Sequence, residues 1–264
     1  MREQSVKVYD IEGEETRQVA MPKIFSTDIR PDIIRKAVVA LQSHTLQPKG
    51  RDPMAGKRTS AESFGVGRGL ARVPRVKGER YSRAGSAAFA PSTVKGRTTH
   101  PPTVEKIIRK RINRKERLAA LFSAIAATAS RELVQKRGHA VDGVQSFPIV
   151  VTDDIQNLSR TSEARNLLVK LGVGKDLERA VGRERSLSGK SRMRGKAKRF
   201  GVGPLLVVGE DKGIGRAARN LVGVDVVEAE NLNVQLLAPG THPGRLTVWS
   251  ESALNVLDQV YTRR

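Results

Sequence analysis

The chain has 264 residues, and its 48 Lys plus Arg against 27 Asp plus Glu leave a net charge of +21, with 38% apolar and only 4% aromatic residues. The absence of Cys excludes disulfides, thiolate zinc sites and a Cys nucleophile, and no apolar run reaches the roughly 18 residues of a membrane span. The longest candidate, Leu118 to Ala129, is interrupted by Ser123 and Thr128.

In chain order, the N-terminal ten residues lack the apolar stretch and small-residue cleavage site of a secretory signal. Val6 to Tyr9 reads as a strand, and Ile33, Ala37 and Leu41 form one apolar helix face behind Pro31. Residues 44–103 then lose periodicity: 8 Gly, 6 Pro and 11 Ser/Thr accompany only six Leu, Ile or Val. Such a stretch cannot bury enough apolar surface to fold alone. At about 60 residues it far exceeds an ordinary connection of roughly 4–6, which makes it a flexible linker or a functional arm. Asn113 and Glu116 form a capping pair for a helix running to about Lys136 and stopping at Gly138, with Leu118, Phe122, Ile125, Ala129 and Leu133 as its stripe. Phe147 to Val151, Leu205 to Val208, Val224 to Val227 and Leu246 to Trp249 read as strands buried on both faces. Helical patterns follow at Glu163 to Leu171, Arg216 to Leu221 and Glu251 to Tyr261. The expected fold is α/β, a mostly parallel sheet with helices on both faces, plus a long extended basic loop without regular structure. Residues 1–43 and 104–264 would form the globular domain, with 44–103 inserted as the arm.

The charge is local. Residues 44–103 carry a net +9, 106–117 a net +6 and 183–201 a net +7, whereas the rest of the chain nets −1. A near-neutral body therefore carries three cationic attachments, as a polyanion-binding protein of the cytoplasm would. The candidate ligands of phosphate in the arm are Lys49, Arg51, Lys57, Arg58, Arg68, Arg72, Arg75, Lys77, Arg80, Arg83, Lys95, Arg97 and His100. Lys110, Arg111 and Arg114 come from the second segment, and Arg185, Lys190, Arg192, Arg194, Lys196, Lys198 and Arg199 from the third. Between Phe64 and Lys77 cations alternate with Gly and small residues, so the backbone can approach phosphates beside guanidinium forks. Phe64, Tyr81 and Phe89 could stack on unpaired bases. With no duplex-reading helix motif, RNA of complex shape is favoured over DNA.

Three enzyme leads compete with that reading. Gly213-Ile-Gly-Arg-Ala-Ala218 follows a strand like a dinucleotide turn, but acids precede it and the ribose-binding candidates Glu228 and Glu230 come early. Helix packing by small residues explains it better. Asp153-Asp154 and Glu210-Asp211 lie at strand C-termini, where a metal-dependent nuclease would gather carboxylates; helix capping is the simpler role. His44, His100, His139 and His242 are scattered, with no metal-ligand spacing and no nearby acid partner to orient a ring. No catalytic residue, metal site or cofactor is expected.

Ser63-Phe-Gly-Val-Gly-Arg-Gly-Leu-Ala-Arg-Val-Pro-Arg75, Val94-Lys-Gly-Arg-Thr-Thr-His-Pro-Pro102, Arg192-Met-Arg-Gly195, Ala217-Ala-Arg-Asn-Leu221 through Val224-Asp-Val226, and Leu237-Ala-Pro-Gly-Thr-His-Pro-Gly-Arg-Leu246 occur in that order. Together they resemble the archaeal-type branch of the universal large-subunit ribosomal protein four family, across essentially the whole chain. The resemblance implies a structural constituent of the large ribosomal subunit whose arm threads ribosomal RNA and helps early assembly. It implies an arm tip at the wall of the peptide exit tunnel, carried here by Ser63, Phe64, Gly65, Val66, Gly67 and Arg68. The implied partners are large-subunit rRNA, neighbouring large-subunit proteins and the nascent polypeptide, with no membrane and no small-molecule substrate. The alternative is a free RNA chaperone or regulatory RNA-binding protein.

Overall fold

Residues 5–262 are described by the computed structural model, so Met1 to Gln4 of the N-terminal stretch lie outside the described residues. The chain divides into two units, one holding the described residues up to Gln42 together with those from Lys110 on, the other Ser43–Arg109.

In the first unit the elements are β1 (Ser5–Tyr9), β2 (Glu15–Ala20), α1 (Pro31–His44, whose last two residues fall in the second unit), α2 (Arg114–Ala129), α3 (Arg131–Arg137), β3 (Ile149–Val151), α4 (Thr161–Lys170), α5 (Gly174–Gly182), β4 (Leu205–Val208), α6 (Ile214–Ala218), β5 (Asp225–Glu228), α7 (Val234–Leu237), β6 (Thr247–Ser250) and α8 (Glu251–Thr262). The sheet order is β2-β1-β3-β6-β4-β5. Only the β1–β2 pair is antiparallel. The chain steps from β3 past one position to β4 and β5, then returns to place β6 between β3 and β4. This is the mostly parallel α/β sheet expected.

Because successive strand residues point to opposite faces, the all-apolar runs feed two cores. Val8, Val150, Leu205, Val207 and Trp249 meet Ile34, Ala37 and Val38 of α1, Ala124 and Ile125 of α2, and Ala253 and Leu257 of α8. Phe25 packs edge-on against Trp249, with ring centroids 5.5 Å apart. On the other face Tyr9, Ile149, Val151, Leu206, Val208 and Val248 meet Leu167 and Leu168 of α4 and Ile214 and Ala217 of α6. Each such side chain removed from water contributes about 1.5–3 kcal/mol, so the sheet is the stable part of the molecule.

The details depart from the sequence reading in instructive places. The buried residues of α1 are Ile34, Ala37, Val38, Ala40 and Ser43, while Ile33 and Leu41 are only half-buried. In α2 burial from Ala120 to Thr128 goes nearly all round the helix, and of the expected stripe only Ile125 is fully covered. The long helix is in fact two. Ser130 is extended at φ −87°, ψ 110°, and α3 starts anew before ending at Gly138 in the left-handed region, as expected of a glycine stop. Asn113 does precede α2 and Glu116 accepts its backbone N–H, but the Asn113 side chain makes no cap bond. Strand β2 was not foreseen because its Glu, Thr, Arg and Gln face water at the sheet edge.

Candidate nucleic-acid interface

Residues 43–109 contain more local order than a structureless loop. Ala61–Glu62 pairs antiparallel with Arg75–Val76, and the Val76 backbone exchanges bonds of 3.0 and 3.1 Å with Ser86 and Gly85. A two-stranded scrap of sheet with one flanking bridge, Arg75 to Ala87, results. It buries only Val76 and Ala88 among the apolar residues of this unit. The expectation of no regular structure is corrected to that extent, and the reason is backbone pairing rather than a core. Further along, the two legs of the segment run together where Arg51 donates to Thr98 and Gly56 lies against the Gly96 backbone.

The scrap of sheet closes the loop 63–74. Within it Gly65, Gly67 and Gly69 take φ of 76°, 81° and 63°, with open space where a Cβ would stand. Their conformation, and not crowding, requires glycine. Phe64, Val66 and Leu70 stand exposed around them, with Val66 71% exposed. Four non-glycine residues elsewhere in this unit, Arg80, Phe89, Ser92 and Lys95, also adopt positive φ, which persists only where surroundings enforce it.

All the predicted phosphate ligands are exposed except Arg75 and Arg97, which are half-buried. Arg75 donates 2.9 Å to the Gly85 carbonyl and is a strut of the small sheet. Arg58 and Lys77 pair with Asp52 and Glu62 at 2.5 and 2.7 Å. The Met54 backbone N–H and then Arg58 hold the Asp52 carboxyl below its usual range.

The second cationic segment leads into α2 with Arg114, Lys115 and Arg117 in or near its first turn. Cations oppose the positive end of a helix dipole there, a cost that a bound anion would lift. Lys110 and Arg111 line a groove of about 470 Å³ together with Arg35 and Lys36 of α1. Sequence reasoning missed those two because α1 lies in the near-neutral part of the chain.

The third segment is a ribbon rather than a plain loop: Arg185–Ser186 pairs antiparallel with Lys198–Arg199, and Gly189–Met193 forms a helical turn between them. Its register sets Arg185 directly opposite Arg199. Like charges in that position destabilise a pair of strands, and only the Glu184–Lys198 contact of 2.5 Å compensates. Met193 is 86% exposed at the turn.

The enzyme leads resolve into structural roles. Asp211 accepts from the backbone N–H groups of Gly213 and Gly215, both at 3.0 Å, and a Cβ at Gly215 would collide with that carboxylate. The protein's own anion thus occupies the place where a pyrophosphate would bind. Asp153 accepts 2.8 Å from the Ser252 N–H in the first turn of α8, and Glu210 faces Lys212 at 3.7 Å. Among the described residues no cluster of three His, Cys, Asp or Glu could hold a metal ion, and no helix is long and apolar enough to cross a membrane.

Two buried polar centres had no signal in the sequence. His139 does have an acid partner, contrary to the reading from spacing: its Nδ1 lies 3.0 Å from Asp176, 37 residues away. Asp176 also accepts from the Ala140 N–H at 2.9 Å and from Arg179 Nε at 2.7 Å. Burial pushes the His139 imidazole below its ordinary value, which its hydrogen bond to Asp176 does not offset. Burial opposes the charge on Asp176, yet hydrogen bonds from His139 and Arg179 hold its carboxyl low. Arg245 is 1% exposed and donates to the carbonyls of Gly203 and Leu236 at 2.9 and 3.0 Å and to Asp225 at 2.5 Å, tying together the starts of β4, β5 and β6. Beside it, Arg137 of α3 binds the Pro239 carbonyl at 2.9 Å, its guanidinium lowered to about 10 by burial and by Arg245.

Residues 19–260 match the ribosomal protein L4/L1 family. Large ribosomal subunit protein uL4 of Methanosphaera stadtmanae is 48% identical over 258 residues, which cover 98% of each chain. The proteins of the same name from two strains of Saccharolobus islandicus are also 48% identical over 258 residues, covering 97% of this chain and 95% of theirs.

Proposed function

The chain belongs to the ribosomal protein L4/L1 family, archaeal branch, and on that premise we propose that it is a large-subunit constituent anchored in rRNA by its three cationic segments. As a member it is a structural constituent of the large ribosomal subunit. In the finer reading, the arm and the 183–201 ribbon enter folded rRNA and join distant segments early in assembly. Residues Ser63 to Arg68 contribute to the wall of the exit tunnel, where Phe64 and Val66 offer apolar surface to a passing polypeptide. Neighbouring large-subunit proteins complete the surroundings, and the ribosome of the cytoplasm is the place of work.

One observation carries this reading. Residues 43–109 bury two apolar side chains and expose ten large ones beside fourteen cations, so their shape needs a partner that offers both phosphates and flat apolar faces. Folded RNA does. Neutralising about 8 phosphates at roughly −0.7 to −0.9 each gives a log K against log salt slope near −6. The test is sedimentation through a salt gradient: the chain should stay with large subunits at high salt. A free pool released at moderate salt would instead support an RNA chaperone or regulator, and magnesium-dependent RNA cleavage lost in Asp153→Asn would revive the nuclease.

A further inference from the structure

The cations foreseen from the sequence lie in three segments, but the groove of about 470 Å³ in the first unit draws half of its cations from a helix outside them. Arg35 and Lys36 project from the water-facing side of α1, opposite Ile34, Ala37 and Val38. Lys110 and Arg111 form the other wall, and the half-buried Val39, over the buried Ala40, completes the lining. The single acid in the lining, Asp32, is held by Arg30 at 2.9 Å, and Lys36 is engaged by Glu116 at 2.8 Å. Among the described residues neither Arg35 nor Arg111 takes part in an ion pair, so these two guanidiniums, one on each wall, are the charges the groove has to offer.

We infer that this groove seats one strand of RNA, its phosphates between Arg35 and Arg111 and a ribose or base against the half-buried Val39. The inference rests on the RNA-binding reading above and adds to it a contact made by the globular unit. Three features favour a nucleic-acid strand over an acidic peptide. Guanidinium forks on facing walls match phosphate oxygens bidentately. A small apolar floor suits a sugar face. Arg114, Lys115 and Arg117, three to six residues past Arg111, are exposed as well, as a ligand with regularly repeated charge requires.

The experiment uses the intact chain and a fluorescein-labelled, mixed-sequence 20-nucleotide single-stranded RNA, with anisotropy followed across a salt series. Arg35→Glu with Arg111→Glu should weaken binding at least tenfold. Replacing both with Gln should reduce the salt slope by about 1.4, two contacts at roughly 0.7 each, and replacing both with Lys should restore most of the slope. Urea midpoints equal to wild type for the Gln pair keep a folding defect separate. If the intact chain shows no salt-dependent RNA binding, the broader reading fails. If it binds, and Arg68→Gln with Arg72→Gln weakens it while the Arg35 and Arg111 variants do not, the groove inference alone is overturned. Loss of poly-glutamate binding with RNA affinity unchanged would overturn it as well.

Discussion

Outside residues 43–109 and 183–202 only three large apolar side chains stand exposed among the described residues, Ile29, Val169 and Val181; inside those two stretches there are thirteen. The same division separates the charge, since nearly all the excess cations fall in or beside those stretches. The sheet unit meets its entropy cost with strands covered on both faces. The other stretches fix their backbones with short pairings and strained turns and leave apolar and cationic side chains in water. The difference teaches that one chain carries an order held from within and an order to be completed from outside, and each makes its own experimental demand.

The largest effect should come from removing the externally completed part. Deleting residues 58–90 takes away seven Lys/Arg, and the flanking legs already meet at Gly56 and Gly96, so the cut ends can join. We expect an unchanged urea midpoint for the sheet unit and a fall in the RNA-binding salt slope of about 5, at roughly 0.7 per phosphate. A lowered midpoint would show that the arm stabilises the body, and the contrast between the two regions would break.

The converse test strikes the internally held part. Arg245→Met leaves the carbonyls of Gly203, just before β4, and of Leu236, in α7, and the Asp225 carboxylate at the start of β5 without their donor. Loss of a buried, fully bonded guanidinium should cost on the order of 3–5 kcal/mol, read as a urea midpoint, while the salt slope of RNA binding stays unchanged in the protein that remains folded.

How much of this was legible follows from the same physics. β3, β4 and β6 could be read because burial on both faces leaves runs such as Leu205 to Val208 with no polar residue; β1 instead alternates exposed and buried residues, and β5, expected to be covered on both faces, is an edge strand whose Val226 and Val227 are only half-buried. The edge strand β2 has no such constraint, and α5, between Gly174 and Gly182, is bounded by residues that usually signal turns. The candidate ligands could be read because charge survives summation over a segment. Arg35 and Lys36 could not, since their meeting with Lys110 and Arg111 depends on helix packing across more than 70 residues. For the same reason the His139–Asp176 pair was invisible: spacing tests look along the chain, and this contact closes across it.

That pair makes the sheet unit sensitive to pH in a defined direction. The unfolded chain protonates His139 near pH 6.5, whereas burial keeps the folded imidazole neutral to lower pH. The unfolded state therefore binds more protons in this window, and stability falls as pH drops below about 6.5. Asp176, whose folded value lies below about 3.9, adds a separate loss only at still lower pH. Urea midpoints between pH 7 and 5 should slope downward in the wild type, and His139→Gln should flatten the slope. An unaltered slope would remove the buried pair as its cause.

The smallest effect, and the sharpest one for the contrast, lies in the 183–201 ribbon. Arg199→Thr removes one of two cations that face each other across the strand pair and leaves a β-favouring side chain. In the free chain the ribbon should gain about 0.5 kcal/mol, because relief of like charges in register is worth roughly 0.2–1 kcal/mol; slower trypsin cleavage at Lys190 to Lys196 would register it. Toward RNA the sign should reverse, with the salt slope reduced by about 0.7. A side chain selected for internal order would lower stability and leave RNA affinity alone when replaced. Opposite signs in the two assays are expected only of a ribbon whose repulsive register is tolerated because phosphate lies across it.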